Sequence, residues 1–430
     1  MTDHTPRQLP PPPPLANGVS ETCNWVHTHL GDVTPGPITA SPTFRGGDSA
    51  ADKALSDTNL TGYAANRNRV APDAARGATR LSPYIRHGML QLPTLWRYAT
   101  GAHENDRDKF RDELLWQEYA RHVYARLGYA TKKGLRHTNP AATPAPDHAG
   151  PTGLNTAHEM TCLATAEAEL SETGYLTNQQ RLWLASQYTV RNAWHTKTGE
   201  HRLYAALIDG SRAANRLGWQ WVSGEATGRP YAFTRRQVEQ YAPGMCAGCA
   251  LNHACPITER PHDPILVATE PHPKLRRDND PESTAGPDKP VTFTHTSTPS
   301  AVWVTAESLS VHDPAVHAHP KLPVVFVFDT PLLTRLKLAP KRLVFLTETL
   351  ADLATQRDVL LWRGATRDIL TRLSDTSHNG GFATTFTPVP GFTARATAIT
   401  TLHPWPWLRR PHAGPVTSYT AWRTYSDKHR

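Results

Sequence analysis

Two charged residues stand where charge is costly. Arg181 lies inside the Leu-rich run NQQRLWLA, and Asp209 lies between Leu207-Ile208 and Gly210. Ionised side chains flanked by apolar residues persist only when they are paired or bound to a ligand. Asn178 is one helical turn from Arg181, so the two point the same way. Asn215, Trp219 and Trp221 follow Asp209 closely in LIDGSRAANRLGWQW. The stretch Gly174–Trp221 therefore reads as one wall of a buried ligand site, with a packed structural salt bridge as the plain alternative.

A second group with chemistry in it is YAPGMCAGCALNHACPI. Cys246, Cys249 and Cys255 have the spacing C-x2-C-x5-C, and Cys162 supplies a fourth thiol from 84 residues upstream. Four thiolates suit a tetrahedral site, and the spacing alone admits either zinc or an iron–sulfur cluster. Cys23 stands alone and reads as an unliganded thiol. Five cysteines in a chain with no apolar leader argue against a disulfide framework and for a reducing, cytoplasmic setting.

Helices must position these groups. DKFRDELLWQEYARHVYARL, residues 108–127, is strongly amphipathic, with Phe110, Leu114, Leu115, Tyr119, Val123 and Leu127 on its buried side. Glu113 and Trp116 share a neighbouring face. From Ser41 a broken apolar stripe runs through Ala51, Ala54, Leu55, Leu60 and Tyr63. GATRLSPYIRHG opens a helix that Thr79 is placed to cap, leaving N–H groups for an anion or for ordinary capping. Residues 137–157 and 259–299 read as a loop and a linker. The text from 158 to 221 is again helical. Further on, AVWVT (301–305) and PVVFVFD (323–329) read as buried strands, residues 337–355 as a helix and DVLLWRG (358–364) as a strand. That alternation predicts a parallel sheet with crossovers.

Composition bounds the partners. The 430 residues carry a net charge of +8, 38% hydrophobic and 20% charged residues, and 38 prolines. The basic balance favours polyanions, of which nucleic acid is the commonest, or a solvated basic surface. The longest apolar run is far too short to cross a bilayer. There is no G-x-G-x-x-G after a strand, no Walker loop and no Ser-His-Asp signature. The 22 histidines show no zinc-protease spacing.

In order, GATRLSPYIRHG, ELLWQEYARH, GYLTNQQRL and LIDGSRAANRLGWQW resemble the helical FAD-binding domain of DNA photolyases and cryptochromes, over about residues 41–243. The resemblance implies FAD bound in an all-helical domain. By it, Tyr63, Thr79, Leu81 and Ser82 hold the phosphate and ribityl part. Asn178, Arg181 and Asp209 lie against the flavin ring, and Asn215 faces flavin N5. Trp219 is the first electron donor, with Trp194 as a further step. Glu113, Trp116 and Trp221 line the pocket that receives a flipped pyrimidine dimer from DNA. The cysteines resemble those of the bacterial branch with a [4Fe–4S] cluster, on Cys162, Cys246, Cys249 and Cys255.

The pattern also departs from the family. The N-terminal antenna domain is missing, yet residues 301–364 are similar to its opening, which implies a circular permutation with any antenna chromophore unknown. Ser211 replaces an acid common beside the flavin. Thr177-Asn178 stands where (6-4) photolyases carry a histidine, which argues against that repair. The expected architecture is thus a multi-domain α and α/β protein. A disordered Pro-rich leader (1–40) precedes an all-helical FAD-binding domain (41–258). A linker (259–299), a small Rossmann-like parallel α/β domain (300–410) and a basic tail (411–430) follow. The expected function is light-driven repair of pyrimidine dimers by a monomer. The rivals are a cryptochrome-like receptor acting on an unknown protein partner, and an iron–sulfur nucleic-acid-binding module without FAD.

Overall fold

The computed structural model describes residues 5–146, 159–293, 298–376 and 380–429. Among them are eighteen α-helices and one seven-stranded, mostly parallel sheet. The sheet's five central strands lie in the order Val359–Gly364, Val324–Asp329, Pro299–Val304, Gly381–Thr385 and Ile399–His403, all parallel. The chain thus winds outward from Pro299–Val304 in both directions, as a doubly wound sheet does. Val302, Val304, Val324, Phe326 and Phe328 are buried on one face, and Ala301, Trp303, Val325 and Val327 on the other. Burial on both faces is why these strands read as continuous apolar runs rather than alternating ones.

Both sheet edges are closed by short antiparallel strands, Arg7–Gln8 beside Val359–Gly364 and Val291–Thr292 beside Ile399–His403. The first corrects the disordered leader expected over 1–40. Leu9 N–H donates to Leu361 O at 2.8 Å, and the helix Val19–Leu30 buries Trp25, Val26 and Leu30 in the same core as Val324 and Phe326. The proline run is extended backbone, which suits a sheet edge as well as a solvated spacer. Its flanking apolar residues find partners some three hundred residues away, beyond any local window.

The expected linker over 259–299 is likewise partly built. It carries buried Leu275, the helix Pro281–Ala285 and the Val291–Thr292 strand. The expected basic tail ends in the helix Tyr419–Lys428, whose Trp422 is fully buried against the helix Glu104–Leu127. Trp422 Nε1–H donates to His122 Nδ1 at 2.9 Å, while His122 Nε2 lies 2.8 Å from Arg409 O. His122 is thereby fixed as the neutral tautomer with its proton on Nε2. The loop expected over 137–157 is described only to residue 146, and its remainder lies outside the described residues. It carries the two-residue strand His137–Thr138, paired with Val267–Ala268.

The junction between sheet and helical part is the helix Pro340–Leu353, in which every residue from Arg342 to Leu353 is buried. It takes the helix Val19–Leu30 on one flank and Asp48–Ser56 on another. Glu348 accepts from Gly46 N and Arg45 Nε, both at 2.8 Å. Asp352 accepts from Ser49 N at 3.1 Å and Ser49 Oγ at 2.8 Å. A Cβ at Gly46 would sit 2.1 Å from Phe345 O, and Gly47 has φ 112°, so the Gly-Gly pair is what lets the two backbones meet. No helix among the described residues is long and apolar enough to cross a membrane.

Burial holds the His122 imidazole down to about 3. Between pH 6.5 and about 3 the unfolded chain gains a proton that folded His122 refuses, so this group's contribution falls on acidification. His122→Gln, which cannot charge, is expected to be less stable than the native chain at pH 7. The gap should narrow at pH 5, as read from urea midpoints; a pH-independent gap would contradict this.

Candidate functional site

The helical part encloses a cavity of about 550 Å³, within the ~300–1,000 Å³ usual for organic ligands. Its walls come from residues 78–81 with the helix Ser82–Arg86, from Glu104–Leu127, from Asn178–Ser186 and from Asp209 with the helix Arg212–Ser223. Thr79 does not cap a helix. Helix Ser82–Arg86 begins after Leu81, and Arg80 at φ 57° turns the chain into it. Helix Asn178–Ser186 starts on a capping box between Thr177 and Gln180, which sets where Asn178 and Arg181 project.

Arg181 and Asp209 meet in the cavity wall. Arg181 Nη2 lies 2.7 Å from Asp209 Oδ2, and Arg181 Nε and Nη2 also donate to Leu176 O at 3.0 and 2.9 Å. Ser82 Oγ–H donates to the same Asp209 Oδ2 at 2.5 Å. Burial opposes the charge on Arg181, but Asp209 and Tyr175 together more than offset it and the guanidinium ends above its ordinary value. Asp209 Oδ1 is buried with no hydrogen-bond partner among the described residues. Such an orphaned carboxylate oxygen costs free energy unless a ligand donor meets it. A flat heterocycle with a ring N–H fits that requirement, so these residues suit a flavin.

Asn215 shows how a neighbour sets an amide. Its Nδ2 donates to Glu200 O at 2.8 Å and Glu200 Oε1 at 3.1 Å, which leaves its oxygen as the group available to the cavity. Buried Glu200 is held in turn by Arg212 at 2.9 Å and Arg216 at 3.5 Å. Sequence reasoning missed Glu200. In TGEHRLY it is one more polar residue on a helix, and only the partner helix reveals its role.

The remaining expected residues divide into two groups. Tyr63, Thr79, Leu81, Ser82, Asn178, Glu113, Trp116 and Trp221 line the cavity with Arg181, Asp209 and Asn215. Glu113 takes Arg67 Nε at 3.1 Å and Lys109 Nζ at 2.9 Å, both on Oε1. Trp116 and Trp221 are 42% and 43% exposed at the mouth. Trp219 and Trp194 are not among the lining residues. Trp219 is buried behind the wall, and Tyr188 lies edge-on to both indoles, at 5.4 Å from Trp219 and 5.0 Å from Trp194. Tyr188 was not singled out from the sequence, where TVRNAW offers no reason to look one residue earlier.

Cys162, Cys246, Cys249 and Cys255 line one void of about 10 Å³. Burial first, then the neighbouring thiols for Cys162 and Glu239 for Cys246, push these two thiols up to about 12. The donor set fits a thiolate-loving metal in kind. As placed, no group of three or more His, Cys, Asp or Glu among the described residues has metal-holding geometry, and the void admits about one water.

No family model matches the chain. A deoxyribodipyrimidine photolyase of Thermus thermophilus is 30% identical over 231 residues, 50% of this chain and 49% of that one. One from Streptomyces griseus is 28% identical over 186 residues, 43% of this chain and 40% of its own length. A putative mitochondrial cryptochrome DASH of Neurospora crassa is 26% identical over 281 residues, 52% and 36%. The chain spans about half the length of the curated relatives it matches. Among solved structures, a bacterial class III photolyase from Agrobacterium tumefaciens aligns at TM-score 0.42 and 23% identity, over 45% of this chain and 42% of its own. Over these stretches the chain is similar to proteins of the photolyase/cryptochrome family.

Removing Arg181 strands the buried Asp209 charge. Arg181→Ala is expected to cost about 3 kcal/mol. The double variant with Asp209→Ala should recover more than 1 kcal/mol relative to additivity, on the order of couplings seen for contacting pairs. Additive urea midpoints would mean that the pair is not coupled.

Proposed function

We propose that this chain binds FAD in the helical cavity and uses it for light-driven reversal of pyrimidine dimers in DNA. The observation that carries this reading is Asp209. Its buried Oδ1 lacks a donor while Oδ2 is clamped by Arg181 and Ser82. When bound, reduced flavin supplies the photo-excited electron, and the protein supplies binding and orientation. Asp209 Oδ1 accepts a ring N–H, and the Asn215 oxygen, turned by Glu200, offers a second acceptor. Thr79, Leu81, Ser82 and Tyr63 hold the phosphate and ribityl end. Five arginines (Arg67, Arg80, Arg86, Arg121, Arg181) against two carboxylates (Glu113, Asp209) line the cavity and favour a polyanionic partner. Glu113, Trp116 and Trp221 at the mouth receive an extruded pyrimidine dimer by stacking and hydrogen bonding. The row Trp219, Tyr188, Trp194 carries oxidising equivalents outward.

The sheet module is the counterpart of an N-terminal antenna domain displaced to follow the helical part, and the four thiols are the donor set for a [4Fe–4S] cluster, which would require them to move outward from the void of about 10 Å³ that they line. Expected iron is four atoms per chain by elemental analysis, and stoichiometric zinc would replace that assignment. A second reading, a blue-light receptor without repair, is favoured by the match to a putative cryptochrome over 52% of this chain.

Illumination of the reduced protein with dimer-containing duplex DNA decides between them. Loss of dimers in light and not in darkness is expected. No loss, with efficient flavin photoreduction, selects the receptor. Protein that retains no flavin at all ends both readings.

A further inference from the structure

Trp116 is 42% exposed, and its own helix meets its ring edge-on through Tyr119. The far end of the chain meets it face-on. Tyr419, in the first turn of the helix Tyr419–Lys428, stacks on the Trp116 indole with centroids 3.9 Å apart and planes 11° from parallel. Tyr419 is not among the residues that line the cavity. It covers one face of the indole, so what Trp116 offers to the cavity is its other face and its edges. Tyr119 meets Trp116 edge-on at 5.8 Å and completes the cradle.

The stack is itself braced. Tyr419 O–H donates to Asp112 Oδ1, one turn before Trp116 on the same helix. Arg423 Nη1 reaches both groups, Asp112 Oδ1 at 3.3 Å and Tyr419 Oη at 3.1 Å, and Arg423 Nε is taken by Asp427 at 2.9 Å. The helix that carries Tyr419 cannot slide, because Trp422 is buried against His122 one turn along.

We propose that Tyr419 is a positioning residue that holds the Trp116 ring at the cavity mouth, so that preference for a ligand presenting flat aromatic faces depends on the C-terminal helix. The proposal rests on the reading of the mouth as a binding site for extruded bases. A stacked partner biases a ring's orientation about two- to tenfold, and that factor is what the experiment reads. The Asp112–Tyr419–Arg423 bracing supports the stack but does not supply it, so an aromatic ring without the hydroxyl keeps most of the effect.

The test compares Tyr419→Ala and Tyr419→Phe in the full chain by two readouts. Hydroxyl-radical footprinting reports oxidation at Trp116. Competition binding reports the preference for a duplex with one cyclobutane thymine dimer over the same duplex undamaged. Tyr419→Ala should raise Trp116 oxidation and lower the preference, each about threefold or more, and Tyr419→Phe should stay within about twofold of the native protein in both, in line with the pair strengths above. Unchanged Trp116 oxidation in Tyr419→Ala, or raised oxidation with unchanged preference, overturns the proposal. If the native protein shows no preference for damaged duplex, the functional reading fails instead, and the footprint still decides whether Tyr419 holds Trp116. Should Tyr419→Ala not fold, Tyr419→Leu, which keeps bulk without an aromatic face, carries the same expectations.

Discussion

Two opposite charges inside a helical interior set the terms for the rest of the molecule. Asp209 has a side chain 2% exposed and Arg181 one 25% exposed. Neither could be kept ionised there alone. Holding them 2.7 Å apart demands that residues 176, 181 and 209 be fixed against each other, and each is. Leu176 O binds the Arg181 guanidinium, and Ile208 N donates to Gly174 O at 2.8 Å. Gly210 lies so close to Arg342 that a Cβ would fall 1.8 Å from its Nη2. Arg342 belongs to the buried helix Pro340–Leu353 and donates to Leu207 O at 2.8 Å and Tyr204 O at 3.1 Å. The pair in the cavity wall is thus tied through one turn to the sheet.

The same logic organises the cavity's other polar groups. Glu200 is tolerable in the interior because Arg212 and Arg216 neutralise it, and that arrangement orients Asn215. Glu113 faces Arg67 and Lys109. Asp209, Asn215 and Glu113 are each aimed by a residue behind them. Asp209 Oδ1 is a buried acceptor without a donor, in a residue that lines the cavity, and such an imbalance marks a place for a ligand.

The two ends of the chain finish modules that their neighbours in sequence do not. Residues 7–30 complete the sheet's edge and one of its faces, beside strands more than three hundred residues later. Residues 416–422 complete the groove along Glu104–Leu127, next to the cavity mouth.

What the sequence determined by itself was the local chemistry. Arg181 and Asp209 were conspicuous because charge among apolar residues needs a reason. The strands were conspicuous because burial on both faces leaves uninterrupted apolar runs, and the 108–127 helix because of its periodic apolar face. Tertiary structure decided whatever depends on a partner distant along the chain. Pro10–Pro14 and the final twenty residues looked like leader and tail because no local window contains the core that Trp25 and Trp422 enter. Glu200, Tyr188 and Tyr419 carry no mark in their own segments, since orientation of an amide, the gap between two indoles and support of a ring are properties of packing. The thiols show the division most plainly: spacing groups Cys246, Cys249 and Cys255 in one segment, while only the tertiary structure brings Cys162 to the same void.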